Sequence, residues 1–172
     1  VSRAIVNIVV DSRSDTTPPP RLFDPCCGSG TNLWAAACRG GSVAGSDRDA
    51  TKADGCRRNL EHAGVAFESV GVRDASRDAL PAASDADCAV LNLPWGEKVR
   101  QTHGENDRIL ANVAAHLRSG TPVACLATDG GGRDWERLGY EVERAADVTP
   151  GTTKRGKASF DGAATCYLLR VR

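Results

Sequence analysis

Apolar residues at Val1, Ala4, Ile5, Ile8 and Val9 recur with the three-to-four-residue rhythm of a helix that buries one face, so the first ten residues are predicted to form a short amphipathic helix, with a strand as the alternative that the valines and isoleucines leave open. The next ten, DSRSDTTPPP, combine turn formers with three consecutive prolines, which neither a helix nor a central strand accommodates. They are read as an exposed connector. From Arg21 onward short apolar runs alternate with longer helical patterns: RLFD, then Thr31 to Arg39, SVAGSD, then Ala50 to Ala63, FESVGVRD, DCAVLNLP, a helix from about Asn106 to Leu117, and PVACLATD. That alternation predicts βαβ units in an α/β fold, a doubly wound, mostly parallel sheet with helices on both faces. The tail breaks the rhythm. YEVERAADV and TCYLLRVR are two strand-like runs with no helix between them, so they are expected to pair as an antiparallel hairpin at one sheet edge.

At 172 residues, 41% hydrophobic and 26% charged, the chain has the size and make-up of one globular domain, with 1–20 as helix and connector and 21–172 as core. The 22 basic and 22 acidic residues cancel, so no global positive field announces a polyanionic partner, and any nucleic acid must be gripped locally or by another module. No apolar run is long enough to span a membrane and no signal-peptide pattern opens the chain, which leads to an expectation of a cytoplasmic protein. Seven cysteines without a C-x-x-C pair suit neither a disulfide framework nor a zinc knuckle, and no metal is expected. The absence of any methionine suggests that upstream sequence is missing.

In an open α/β sheet, ligands gather beyond the carboxyl ends of the strands, so the strand-to-helix corners hold the candidate chemistry. The first corner is LFDPCCGSGTN, where Gly28 and Gly30 permit a tight turn after Asp24, and Ser29 or Thr31 can cap the next helix. It is not a phosphate-binding P-loop, and Leu33 stands where a dinucleotide fingerprint has its third glycine. At the second corner Asp47 ends a strand 23 residues after Asp24, close to the interval of about 20 at which an acid meets a ribose in nucleotide-binding sheets. Asp47 could instead cap the helix from Ala50, with Asp49 competing for that task. Asp74, at the third corner, can accept from an adenine amine or simply occupy a surface turn. The fourth corner, Asn92-Leu93-Pro94-Trp95, joins an amide and a rigid turn to an aromatic face, an arrangement that can hold a flat base by its amino group. An ordinary N-x-P turn with a packed tryptophan is the alternative. His62, His103 and His116 are scattered and read as surface or packing residues.

Taken in order, Asp24-Pro25-Cys26-Cys27-Gly28-Ser29-Gly30-Thr31, then Gly45-Ser46-Asp47, then Asn92-Leu93-Pro94-Trp95-Gly96 resemble the class I S-adenosylmethionine-dependent methyltransferases. More narrowly, they are similar to the RNA guanine-N2 methyltransferases that carry a THUMP domain ahead of the catalytic domain. The resemblance implies a Rossmann-like methyltransferase fold and S-adenosylmethionine as cofactor. It places Asp24, Gly28 and Gly30 at the methionine part with Cys26 and Thr31 beside them, Asp47 at the ribose with Arg48 next to it, and Asp74 at the adenine amine. Asn92, Leu93, Pro94 and Trp95 would hold the target base. The family has N/D-P-P-Y or D-L-P-F at this last site where this chain has N-L-P-W, and asparagine at the first position also occurs in enzymes that methylate the adenine amine.

The expected activity is therefore methylation of a guanosine N2 amine in RNA, with tRNA the foremost substrate. Adenine-N6 methylation of DNA or RNA, or an inactive cofactor-binding scaffold, are the alternatives; a nicotinamide-dependent oxidoreductase is a distant one. Lys98 and Arg100 after the fourth corner, and Lys154, Arg155 and Lys157 in GTTKRGK, are candidate RNA phosphate contacts. Five charges give modest, salt-sensitive affinity, so an N-terminal THUMP-like module or a partner subunit is expected to capture the RNA.

Overall fold

The structure is a computed structural model, and it describes residues 2–13, 19–93, 104–127, 133–148 and 164–172. Seven strands form one sheet in the order β3-β2-β1-β4-β5-β7-β6. They are β1 (Arg21–Asp24), β2 (Ser42–Asp47), β3 (Ser69–Val72), β4 (Cys88–Asn92), β5 (Pro122–Ala127), β6 (Tyr140–Val148) and β7 (Ala164–Val171). Among the described residues the helices are α1 (Ser2–Asp11), α2 (Thr31–Ala37), α3 (Ala50–His62) and α4 (Glu105–His116), with a 3₁₀ turn at Pro81–Ala83. The first five strands are parallel where they pair. β7 runs antiparallel to both β5 and β6. The hairpin expected from the tail is present, with its second strand inserted between β5 and its first.

Each face of the sheet is covered by a helical layer. On one face Ile5 and Val9 of α1, Leu33 of α2 and Leu60 of α3 pack with Val43, Val90 and Leu126 of the sheet. On the other, Leu110 and Val113 of α4, Leu80 and Trp135 pack with Phe23, Leu91, Val123 and Leu169. β5 is buried along its whole length because it has neighbours on both edges and cover on both faces, which explains its unbroken apolar run. The predicted N-terminal helix belongs to this core: Ile5, Val6, Val9 and Val10 are all buried. Half of the proline-rich connector, residues 14–18, lies outside the described residues. Among the described residues, no helix is long and apolar enough to cross a membrane.

The chain steps outward from β1 to β2 and β3, then returns to place β4 on the other side of β1. This reversal leaves a crevice above the carboxyl end of β1, where neighbouring connections diverge to opposite faces. Beside it α2 packs closely on the sheet. A Cβ on Gly45 of β2 would lie 2.9 Å from Leu33 Cδ1, 3.0 Å from the Asp24 carbonyl oxygen and 3.1 Å from Cys27 Cβ. The close contact that a dinucleotide fingerprint obtains from a third glycine on its helix comes here from a glycine on the strand, with Leu33 filling the gap. Gly45→Ala is expected to lower stability by about 1–3 kcal/mol, the usual cost of overpacking, as a reduced urea midpoint at unchanged slope.

Candidate active site

The crevice at the reversal is lined by Pro25 and Cys26 after β1, Asp47, Arg48 and Lys52 after β2, and Arg73, Asp74 and Ala75 after β3. Asn92, at the end of β4, and Glu105 and Ile109 of α4 complete it. Five residues singled out from sequence, Cys26, Asp47, Arg48, Asp74 and Asn92, are thus brought together from four separate corners. Asp24, Gly28, Gly30 and Thr31 are not part of this lining. Gly30 and Thr31 instead border a shallow hollow with Trp34 and Asn59. Pro94, Trp95, Lys98, Arg100, Lys154, Arg155 and Lys157 lie outside the described residues.

Asp24 sits beneath the crevice, fully buried. Its Oδ1 accepts from the Cys26 N–H at 3.0 Å and its Oδ2 from Asn32 Nδ2 at 2.9 Å, so it ties the turn to the start of α2. Burial pushes its carboxyl up to about 6, against those two hydrogen bonds, and the nearby Asp47 charge adds to the rise. Asn32 is also buried, and its Oδ1 has no hydrogen-bond partner. Two buried acceptor groups thus stand side by side, and no described cation pairs with Asp24.

The pH consequence follows from linkage. An acid whose folded value lies above its ordinary 3.8 favours folding most at pH below that value, and the contribution is lost as pH rises through about 6. A rise of this size corresponds to about 3 kcal/mol. Asp24→Asn keeps an acceptor for the Cys26 amide while removing the titration. The variant is expected to hold its urea midpoint between pH 4 and 7 better than the parent chain, and parallel profiles would remove the buried-charge account.

Asp47 is buried at the end of β2, and its two oxygens hold the turns on either side: Oδ2 accepts from the Gly28 N–H at 2.9 Å and Oδ1 from the Asp49 N–H at 3.0 Å. The question of the cap is resolved in favour of Asp49, whose side chain accepts from the Thr51 and Lys52 amides at the start of α3. Asp47 is therefore released for another task, and each of its oxygens retains acceptor capacity for a hydroxyl. Gly28, at φ +54°, supplies the left-handed turn that aims its amide at Asp47. Gly30 serves packing: a Cβ there would lie 2.7 Å from Cys56 Sγ on α3.

Asp74 is held in its turn by the Ser76 amide at 3.0 Å and the Ser76 hydroxyl at 2.6 Å, with Arg77 Nε 3.1 Å away. The Ser76 hydrogen bonds hold its carboxyl below the usual range. At the far side Asn92 is exposed at the end of β4, and the Leu93 N–H donates to the Leu126 carbonyl at 3.3 Å. Leu93 is 1% exposed, so strand pairing and core packing fix the chain up to the point where the Asn92 amide emerges. Burial pushes the Cys26 thiol well above its ordinary value, which suits a packing residue and not a nucleophile.

Sequence reasoning passed over Asn32, a polar residue on the buried face of α2, and Glu105, the first residue of α4. Glu105 is 5% exposed and forms an ion pair with Arg48. The burial pattern of α2 would have flagged Asn32 once the helix was placed. Nothing local marks Glu105, because its partner is 57 residues away.

S-adenosylmethionine, which the sequence resemblance implies, carries ribose hydroxyls, an adenine amine, an ammonium and a sulfonium. The donor set fits it: Asp47 and Asp74 offer acceptors at the crevice, and the unpartnered Asn32 Oδ1 beside the cation-free Asp24 adds acceptors beneath it. Comparison with known proteins agrees. The family model described as UPF0020, RMKL-like, methyltransferase domain, matches residues 2–128. Over 131 residues the chain is 33% identical to a tRNA (guanine(10)-N2)-dimethyltransferase of Methanothermobacter thermautotrophicus, covering 74% of this chain and 37% of that protein. It spans little more than a third of that relative's length. Among solved structures, TrmN from Thermus thermophilus superposes with a TM-score of 0.73 at 21% identity, over 99% of this chain and 48% of that one. Magnesium protoporphyrin IX methyltransferase from Synechocystis PCC 6803, solved with bound SAM, gives 0.70 at 14% identity, over 99% and 77%. These likenesses establish the fold as that of the class I methyltransferases.

Proposed function

The chain belongs to the RMKL-like methyltransferase domain family, and on that premise we propose that it methylates the exocyclic N2 amine of a guanosine in RNA, with tRNA as the substrate class. The observation that carries this reading is the placement of Asn92 on the same crevice as Asp47 and Asp74, across the carboxyl end of β1. The kinship with a tRNA guanine-N2 dimethyltransferase supports the choice of base and of RNA. S-adenosylmethionine, the cofactor of this fold class, supplies an electrophilic methyl group on a sulfonium.

The chain's own residues would divide the work by corner. Asp47 takes the ribose hydroxyls and keeps the Gly28 turn in place, and Asp74 takes the adenine amine. Asp24 and Asn32 support the turn that faces the methionine part. Asn92 addresses the acceptor. An exocyclic amine is a poor nucleophile because its lone pair is delocalised into the ring. Two acceptors on its hydrogens, the Asn92 side-chain oxygen and the Leu93 carbonyl, draw the nitrogen towards tetrahedral geometry and direct the lone pair outward. Positioning supplies most of the rate, and the amine's surplus proton leaves to water after transfer. The basic residues Lys98, Arg100, Lys154, Arg155 and Lys157 would contact RNA phosphates, with a separate module or partner subunit providing further grip.

The test is transfer of a labelled methyl group from S-adenosylmethionine to unmodified tRNA, rRNA and DNA, followed by nucleoside chromatography. The expected product is N2-methylguanosine in tRNA. N6-methyladenine would overturn the choice of base, and cofactor binding without transfer to any pool would replace the enzyme by a scaffold.

A further inference from the structure

Glu105 carries a carboxylate that is almost wholly removed from water, its side chain 6% exposed. It opens α4, whose N-cap is Gly104 at φ 71° with no side-chain cap. A carboxylate in a first helical turn is favoured by the helix dipole, but that preference is normally satisfied in solvent. An ionised carboxylate withdrawn from water needs a partner. One partner is Arg48, the residue directly after Asp47, whose own side chain is 42% exposed.

The pair joins two sides of the crevice. Arg48 follows β2, Glu105 lies on the helix that follows β4, and β1 runs between those strands. Both residues line the crevice together with Asp47 and Asn92. An exposed arginine ordinarily samples many rotamers, and its guanidinium is a wall only when something fixes it. Anchoring at one end by a buried carboxylate leaves the planar face of the cation available to a flat ring. Glu105 adds to the negative charge that Asp47 and Asp74 already place around Arg48, beside a ligand that itself carries positive charge.

Building on the methyltransferase reading, we infer that Glu105 is a positioning residue for the adenosine half of the cofactor: it holds the Arg48 guanidinium as a wall of the adenine site beside Asp47. The ring meets Arg48 by cation–π contact, and Glu105 acts through Arg48.

The experiment is calorimetric binding of S-adenosylmethionine and of adenosine to the full chain, its Glu105→Gln variant, Arg48→Met, and the double variant. Thermal unfolding is followed alongside. Glu105→Gln, which removes the charge at constant volume, is expected to weaken both ligands about tenfold. The double variant should be no weaker than Arg48→Met, because the two residues act as one unit. A charge-swapped chain, Arg48→Glu with Glu105→Arg, should recover thermal stability without recovering adenosine affinity, since the stacking face has moved. Recovery of both would make the pair a structural tie only and overturn the inference. Additive losses, or full affinity in Glu105→Gln, would overturn it as well. Parent chain that binds neither ligand would sink the methyltransferase reading, and this inference with it, whereas parent binding with an indifferent Glu105→Gln sinks the inference alone.

Discussion

Asn92→Ala is expected to lower methyl transfer at least about 100-fold, equivalent to about 3 kcal/mol in the barrier, while the affinity for S-adenosylmethionine stays within a few-fold of the parent chain. The split follows from where Asn92 sits. It is the last residue of β4, exposed, and the chain on its far side is anchored by the Leu93 amide on Leu126 and by the buried Leu93 side chain. Truncating the side chain keeps the backbone pairing of Asn92 with Leu126 and the Leu93 anchor. On the proposed mechanism, what disappears is an acceptor needed only when the amine rehybridises, so the loss is expected in kcat. Single-turnover transfer with the cofactor dissociation constant measured in parallel reads both quantities. Unchanged turnover would remove Asn92 from the reaction.

Asp47→Ala is expected to act in the opposite way. Cofactor binding weakens by about 1–3 kcal/mol, the range for hydrogen bonds made to a charged group. The same change strips the acceptor from the Gly28 and Asp49 amides, so the turns after β1 and β2 loosen together. Asp47→Asn separates these effects, because its one remaining carboxamide oxygen can serve only one of the two amides. Affinity should fall in the order parent, Asn, Ala. Calorimetry showing no loss in the alanine variant would leave Asp47 as a turn residue alone.

Much of this arrangement was legible in the sequence because the signals were local. SVAGSD and YEVERAADV coincide with β2 and β6 residue for residue, since each is a compact strand pattern bounded by turn formers. Asp47 could be placed at a strand end, but its choice between ribose and cap depended on Asp49, and only the positions of the Thr51 and Lys52 amides decide that. The glycines of the first turn looked equivalent. One aims an amide at Asp47, and the other makes room for Cys56. Such distinctions depend on which helix packs against the turn, which local pattern does not record. Glu105 and Arg48 were illegible as a pair for the same reason: each looks like a solvated charge until β1 is seen to lie between their elements.

The insertion of β7 between β5 and β6 has a consequence for how the protein is made. Synthesis proceeds from the amino end, so β5 emerges from the ribosome first, then β6, and the strand that belongs between them comes last. Until residues 164–171 are available, the outer edge of β5, a strand buried along its whole length in the finished fold, has no ladder partner. An apolar strand with an open edge is a template for another nascent chain. The interval between β5 and β7 is therefore a period in which an apolar strand edge stands open to another chain.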